Sequence, residues 1–308
     1  MSTRTDLMKH VVSFYRFFEI SGPKDVREEL IELGDRLGLK GTILIGAEGL
    51  NSTVTGKKES LEEMVRWLEN RFGDFPFKWS LAEGINEVFF RFKVKLKKEI
   101  VTMGVQGLRM ENSGKHVGYA EWNELLLDPD VIVIDARNDY ETDIGTFPGS
   151  VLPGINNFRE FPDWVGDELD PKEHKKVAMF CTGGIRCEKA SAYMINQGFE
   201  SVYQLDGGIL KYLETVDQKK NKWDGECFVF DQRVSVNSVL EQGRYSQCFA
   251  CRHPLGEAEL NAPEYEEGVS CAYCVDDKSL ERREQFRQRQ KQIGLANQRG
   301  ERHLGVRQ

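Results

Sequence analysis

The residues best placed to do chemistry are six in a row: Cys181-Thr182-Gly183-Gly184-Ile185-Arg186. They follow the apolar run Val177-Ala178-Met179-Phe180 and lead into a helical stretch through Ser191, Tyr193 and Met194. A buried strand, a glycine turn and a helix start in that order point successive backbone N–H groups at one spot. The helix N-terminus and the Arg186 guanidinium add positive field there. A thiol at that spot is expected to ionise below its usual pKa, because its thiolate is the anion that the nest stabilises. The same cradle suits the outer sulfur of a Cys181 persulfide or a developing oxyanion. A lone cysteine before a glycine turn is usually an inert buried thiol, but Cys-x-Gly-Gly-x-Arg between strand and helix argues against that. Cys181 and Arg186 also stand closer in sequence than the cysteine and arginine of cysteine-dependent phosphatases. The loop is therefore expected to be too tight for a phosphate and suited to a single sulfur. Arg186 is expected both to bond the loop's own carbonyls and to lend its field to Cys181.

Other candidates support this centre or stand apart from it. Asp135 and Arg137 close the apolar run Val131-Ile132-Val133-Ile134 and read as an ion pair that braces the loop. Cys187 and Cys227 are alternatives for a resolving thiol, against the plainer reading of buried core cysteines. Cys248-x-x-Cys251 and Cys271-x-x-Cys274, separated by 19 residues, have the spacing of two knuckles that hold zinc with four thiolates. Such a site is closed, so a structural zinc is expected rather than a catalytic one. No dinucleotide fingerprint or other organic-cofactor motif stands out. The net charge of −8 excludes a chain that coats nucleic acid throughout, yet two basic stretches are local exceptions. One is Arg91, Lys93, Lys95, Lys97 and Lys98, of which the first three are the candidate contacts. The other runs from Lys278 to Gln308, with nine Lys/Arg against three Glu, and includes Arg282, Arg283 and Arg287. Each reads either as a solvated face or as a track for a phosphate backbone.

The elements that must position these residues fall into successive units. Residues 1–100 read as an α+β, ferredoxin-like domain in the order βαββαβ, its last strand the alternating Val88–Leu96. Glycines mark a linker over 101–119. Residues 120–220 alternate short apolar strands with helices, the pattern of a parallel sheet covered on both faces. Its strands end at Asp135, Cys181 and Asp206-Gly207-Gly208, the edge where chemistry collects in such sheets. Residues 221–308 form a Cys-rich zinc-binding region with a basic C-terminal helix and a loose end. No run is long and apolar enough for a membrane span, and the first residues lack a signal peptide's apolar core. With cysteines spaced for metal or catalysis rather than disulfides, a cytoplasmic location is expected.

The loop from Cys181 to Arg186 resembles a rhodanese active-site loop. Val131–Arg137, Tyr140-Glu141 with Gly145-Thr146-Phe147-Pro148-Gly149-Ser150, and Leu205-Asp206-Gly207-Gly208-Ile209 resemble the flanking rhodanese signatures, with Thr146-Phe147 in place of the commoner His-Ile. Phe158-Arg159-Glu160-Phe161-Pro162, the loop extended to Ser191, and Phe228-Val229-Phe230-Asp231-Gln232-Arg233 are similar to one subfamily, the rhodanese-domain tRNA uridine hydroxylases. That resemblance covers nearly the whole chain. It implies an α/β rhodanese domain and oxygen-dependent conversion of the wobble uridine of tRNA to 5-hydroxyuridine. It also implies Cys181 as nucleophile or persulfide carrier, tRNA as partner and dioxygen as co-substrate. Two alternatives stand beside it: a rhodanese-type sulfurtransferase working through a Cys181 persulfide, and a non-catalytic RNA-binding protein. The intact Cys-to-Arg loop speaks against the last. The tRNAs served, the electron source and the oligomeric state are not legible.

Overall fold

The computed structural model describes residues 8–83 and 87–300. The first unit contains β1 (Met8–Phe17), α1 (Pro23–Arg36), β2 (Lys40–Gly46), β3 (Gly49–Gly56), α2 (Lys58–Phe72), β4 (Lys78–Glu83) and β5 (Phe92–Leu96). They build one sheet in the order β4-β1-β3-β2-β5, in which only β2 and β5 pair in parallel. Both helices lie against this sheet. Val26, Leu30 and Leu33 of α1 and Leu61, Met64 and Leu68 of α2 recur at helical spacing and fill its core.

The ferredoxin-like order is present, but its fourth strand differs from the expectation. The strand beside β1 is Lys78–Glu83, and the alternating segment forms an added fifth strand at the opposite edge. The cause is the edge itself. Trp79 and Leu81 of β4 point to solvent, 40% and 42% exposed, so this short edge strand turns the apolar side of its alternation outward. The alternating segment in turn is strand only over Phe92–Leu96, with Val94 buried while Phe90 and Leu96 stand exposed.

The second unit holds a four-stranded, wholly parallel sheet, β6-β10-β9-β7, from β6 (Lys115–Val117), β7 (Val131–Asp135), β9 (Lys176–Phe180) and β10 (Ser201–Leu205). Strand β6 comes from the stretch read as a linker and closes one sheet edge. One face packs on Phe161, Met179, Cys187 and Met194, the other on Trp122, Phe147, Phe180 and Tyr212. Burial on both faces explains the unbroken apolar runs. The connecting helices are α3 (Tyr119–Leu125), α4 (Asp139–Thr142), α5 (Phe161–Glu168), α6 (Ile185–Asn196) and α7 (Gly208–Thr215), and the two-residue strand β8 (Gly145–Thr146) lies outside this sheet.

The last unit has little regular structure besides paired short strands, α8 (Glu257–Leu260) and α9 (Leu280–Gln298). Its own apolar cluster consists largely of Cys248, Cys271, Cys274 and Leu255. The C-terminal end expected to be loose, residues 301–308, lies outside the described residues. Among the described residues no helix is long and apolar enough to cross a membrane.

Candidate active site

Strand β9 delivers Cys181 to the C-terminal edge of the parallel sheet, fully buried, and α6 begins four residues later. Gly184, at φ +100°, makes the turn, a conformation that disfavours a side chain. Its N–H donates to Cys181 Sγ at 3.2 Å. Three successive loop carbonyls are turned away from the sulfur and held from outside the loop. Ile209 N–H donates to Cys181 O (3.0 Å), Leu210 N–H to Thr182 O (3.1 Å), and Lys78 Nζ to Gly183 O (2.9 Å). With the carbonyls pinned outward, the N–H groups are free to face the sulfur. Gly208 permits the close approach of α7, since a Cβ there would lie 2.4 Å from Cys181 O.

Arg186 does not bond the loop carbonyls, contrary to the expectation; Ile209, Leu210 and Lys78 take that part. Its guanidinium forms a two-pronged pair with Glu141 at 2.6 and 2.7 Å, and the carboxylate is fully buried. Glu141 also accepts from Thr182 Oγ1 (3.2 Å) and from Asn138 N–H (3.2 Å), the latter through the capping box of α4. Burial pushes the Glu141 carboxyl up, but Arg186 outweighs it and leaves the pKa lowered.

The same balance acts on Cys181. Burial pushes the thiol up; hydrogen bonds from the Cys187 thiol and from the Cys187 and Arg186 N–H groups, with the Arg186 charge, overcome it. The result is a pKa of about 5. Cys187 moves the other way, raised by burial and by its bond to the Cys181 sulfur. The site thus holds one thiolate beside one thiol. Cys227 is buried in the opposite core face, pushed up to about 12 mainly by burial.

Asp135 and Arg137 form a fully buried pair at 2.6 Å. Arg137 also donates to the carbonyls of Glu141 (3.1 Å) and Gly145 (2.6 Å). The pair therefore braces the segment that carries Glu141, one step removed from the sulfur.

In the Cys-rich unit, the sulfurs of Cys248, Cys251, Cys271 and Cys274 all lie within 4.8 Å of one another. Individual separations are 4.0 Å (Cys248–Cys274), 3.7 Å (Cys251–Cys271) and 3.8 Å (Cys271–Cys274). Metal–sulfur bonds of about 2.3 Å in a regular tetrahedron give sulfur–sulfur edges of about 3.8 Å. The donor set and spacing therefore fit a structural metal such as zinc. His253 stands outside the cluster, stacked on Tyr273 with its Nε2 3.1 Å from Asp143 Oδ2, and so ties this unit to the central one.

Residues 9–100 match the family described as UPF0176 acylphosphatase like domain, and residues 119–215 match the Rhodanese-like domain. The chain joins these two domain types. Solved structures similar to part of it include a rhodanese-like domain from Anabaena sp. (17% identical, 36% of this chain and 78% of that one, TM-score 0.30). Another is a rhodanese-like domain protein from Staphylococcus aureus (27% identical, 32% and 90%, TM-score 0.27). A third is a protein of unknown function from Rhodopseudomonas palustris, described as a possible tyrosine phosphatase (22% identical, 34% and 83%, TM-score 0.29).

A cleft of about 750 Å³ lies where the acylphosphatase-like domain, the rhodanese-like domain and the Cys-rich unit meet. Its lining includes Phe90, Arg91 and Lys93 from the first, Tyr140 from the second, and Phe230, Phe249 and Arg252 beyond it. The Phe230 ring, 61% exposed, has the Arg186 guanidinium carbon 5.9 Å from its centroid. Among the described residues, Arg91, Lys93 and Lys95 form no ion pair. Burial lowers the Lys93 pKa, and the neighbouring Arg91, Lys95 and Arg252 charges lower it further. The basic residues of α9 lie differently. Arg287 is paired with Glu266 at 2.7 Å, Arg282 sits over the Phe286 ring, and Arg283 has a buried Nε without a partner. None of these three lines the cleft, whereas Arg289 of the same helix does.

Sequence reasoning missed Glu141, Lys78 and Phe230 as parts of the site. Asn138-x-x-Glu141 is legible as a capping box, but nothing local announces the pairing of Glu141 with Arg186, 45 residues on. Lys78 belongs to β4, whereas the sequence pattern points to Val88–Leu96 as the fourth strand.

Proposed function

We propose that the protein hydroxylates the wobble uridine of tRNA at C5, with Cys181 as the nucleophile. The observation that carries this reading is the cleft of exposed rings and unpaired cations that runs up to the Phe230 ring over Arg186. Unpaired RNA bases stack on such rings while Arg and Lys hold the phosphates; a small sulfur donor needs neither. In the proposed chemistry the Cys181 thiolate adds to C6 of the uracil and breaks the C5=C6 double bond, leaving C5 electron-rich. Dioxygen then oxidises C5. Two electrons and two protons from a thiol reductant cleave the O–O bond, giving the C5 hydroxyl and water. Expulsion of the Cys181 sulfur with loss of the C5 proton restores the double bond. The net reaction consumes uridine, dioxygen and two thiols, and yields 5-hydroxyuridine, a disulfide and water.

The test is mass spectrometry of tRNA nucleosides from cells lacking the gene and complemented with the wild type or with Cys181→Ser. Restoration of 5-hydroxyuridine by the wild type alone is expected; restoration by Cys181→Ser would sink the reading. A second reading, sulfur transfer, is favoured by the loop itself, whose short Cys-to-Arg span suits one sulfur. There Cys181 would take the outer sulfur of thiosulfate, releasing sulfite, and pass it from the persulfide to cyanide or a thiol. Unchanged tRNA together with thiocyanate formation would select it.

A further inference from the structure

We propose that Lys78, from the acylphosphatase-like domain, is a positioning residue that fixes the loop peptide donating to the Cys181 sulfur. Its Nζ donates to Gly183 O at 2.9 Å and to Gly207 O at 2.8 Å, bridging the Cys181 loop to the glycine turn that opens α7. Gly183 O belongs to the same peptide unit as the Gly184 N–H, and that N–H donates to Cys181 Sγ at 3.2 Å. The described chain contains no cis peptide, and in a planar trans unit the C=O and N–H point in opposite directions. An ammonium on the carbonyl side therefore aims the N–H at the sulfur and polarises it, as bonds in a chain strengthen one another.

The other two pinned carbonyls of the loop, those of Cys181 and Thr182, are held from within the rhodanese-like domain by Ile209 and Leu210. Only the carbonyl of Gly183 takes its donor from another domain. Lys78 is half-buried and makes no ion pair among the described residues, so the two carbonyls are its hydrogen-bond partners rather than an incidental contact. Burial lowers its pKa while the Cys181 sulfur pulls it up, the direction expected of a cation near a thiolate.

Two further contacts set the register of this approach. Tyr15 Oη donates to Glu188 Oε1 at 3.2 Å, and a Cβ on Gly184 would lie 2.7 Å from that same hydroxyl. Lys189, one residue further along α6, pairs with Glu48 at 2.9 Å and with Glu99 at 2.7 Å. The acylphosphatase-like domain thereby completes the nest, whichever substrate Cys181 attacks.

The experiment is the pH dependence of Cys181 alkylation by iodoacetamide in the full chain, read peptide by peptide by mass spectrometry. The wild type is compared with Lys78→Met, Lys78→Arg and Glu48→Gln. Lys78→Met is expected to raise the midpoint by about one pH unit, the size of a single lost charge-assisted donor. Lys78→Arg should restore most of that shift. Glu48→Gln leaves Lys189 paired with Glu99 and should leave the midpoint in place. The midpoint is the quantity to follow, since a thiolate with a pKa near 5 stays almost fully ionised at neutral pH after such a shift. If Lys78→Met does not fold, Lys78→Gln, which keeps a donor and removes the charge, is expected to shift the midpoint the same way by less. An unchanged midpoint in folded Lys78→Met or Lys78→Gln would overturn the proposal. So would an equal shift in Glu48→Gln, which would mark a general effect of domain docking.

Discussion

At the scale of residues, the site is a balance of buried charges rather than a single reactive group. Arg186 lowers the Cys181 pKa while its own charge is met by Glu141, so neither cation nor carboxylate is stranded in the core. Removing one partner of such a pair costs more than the pair itself contributes, because the survivor is buried alone. Glu141→Ala is therefore expected to destabilise the rhodanese-like domain by about 3–5 kcal/mol, measured by urea unfolding followed through that domain's tryptophans. A loss below about 1 kcal/mol would mean that water reaches Arg186 and satisfies it. This scale was partly legible in advance. Cys181 to Arg186 announces itself because strand, turn and helix start are contiguous. Glu141 and Lys78 do not, because each reaches the loop only after the chain has folded back on itself.

At the scale of elements, the α7 turn holds the loop from behind, and the cysteine knuckles order a unit of their own. Gly208 adopts φ +68°, and a Cβ there would meet Cys181 O at 2.4 Å and Gly184 N at 2.7 Å, both backbone atoms that cannot step aside. Gly208→Ala is expected to push α7 off the loop, free the Cys181 and Thr182 carbonyls, and return the Cys181 alkylation midpoint toward that of an ordinary thiol. An unshifted midpoint would show that the loop holds its shape without α7. In the Cys-rich unit, the sulfur separations match a tetrahedral zinc site, and little other core exists to order the segment. The purified chain is expected to carry a single zinc ion by elemental analysis. Chelation or Cys271→Ser should expose residues 246–275 to fast amide exchange while β7, β9 and β10 stay protected. The spacing of the four cysteines made this unit readable early. The identity of the fourth ferredoxin-like strand was not readable, because the longer alternation of Val88–Leu96 outweighs the brief one of Lys78–Glu83 in the sequence.

At the scale of the whole molecule, the three units meet around one cleft, and the proposed RNA contact depends on that meeting. Arg91, Lys93 and Arg252 line it together with the rings of Phe90, Phe230 and Phe249. Phosphate contacts release counterions, so binding of a single-stranded RNA should weaken with salt at a slope of about 0.7 per contact on a double-logarithmic plot. Replacing Arg91, Lys93 and Arg252 together by Gln should flatten that slope by about 2, measured by fluorescence anisotropy with an anticodon-loop oligonucleotide. An unchanged slope would place the RNA elsewhere. The order of the units was legible from composition and pattern; the cleft was not, because its walls come from segments more than a hundred residues apart.

The account rests most directly on the state of the Cys181 sulfur. The folded protein depresses its pKa, so the thiolate contributes stability above the ordinary thiol pKa. That stability is lost as pH falls through about 5. Peptide-resolved alkylation of the wild-type chain measures this without assuming any substrate. The predicted result is a Cys181 midpoint near pH 5, with Cys187 unreactive until strongly alkaline pH. A Cys181 midpoint at the ordinary thiol value of about 8.5 would contradict it.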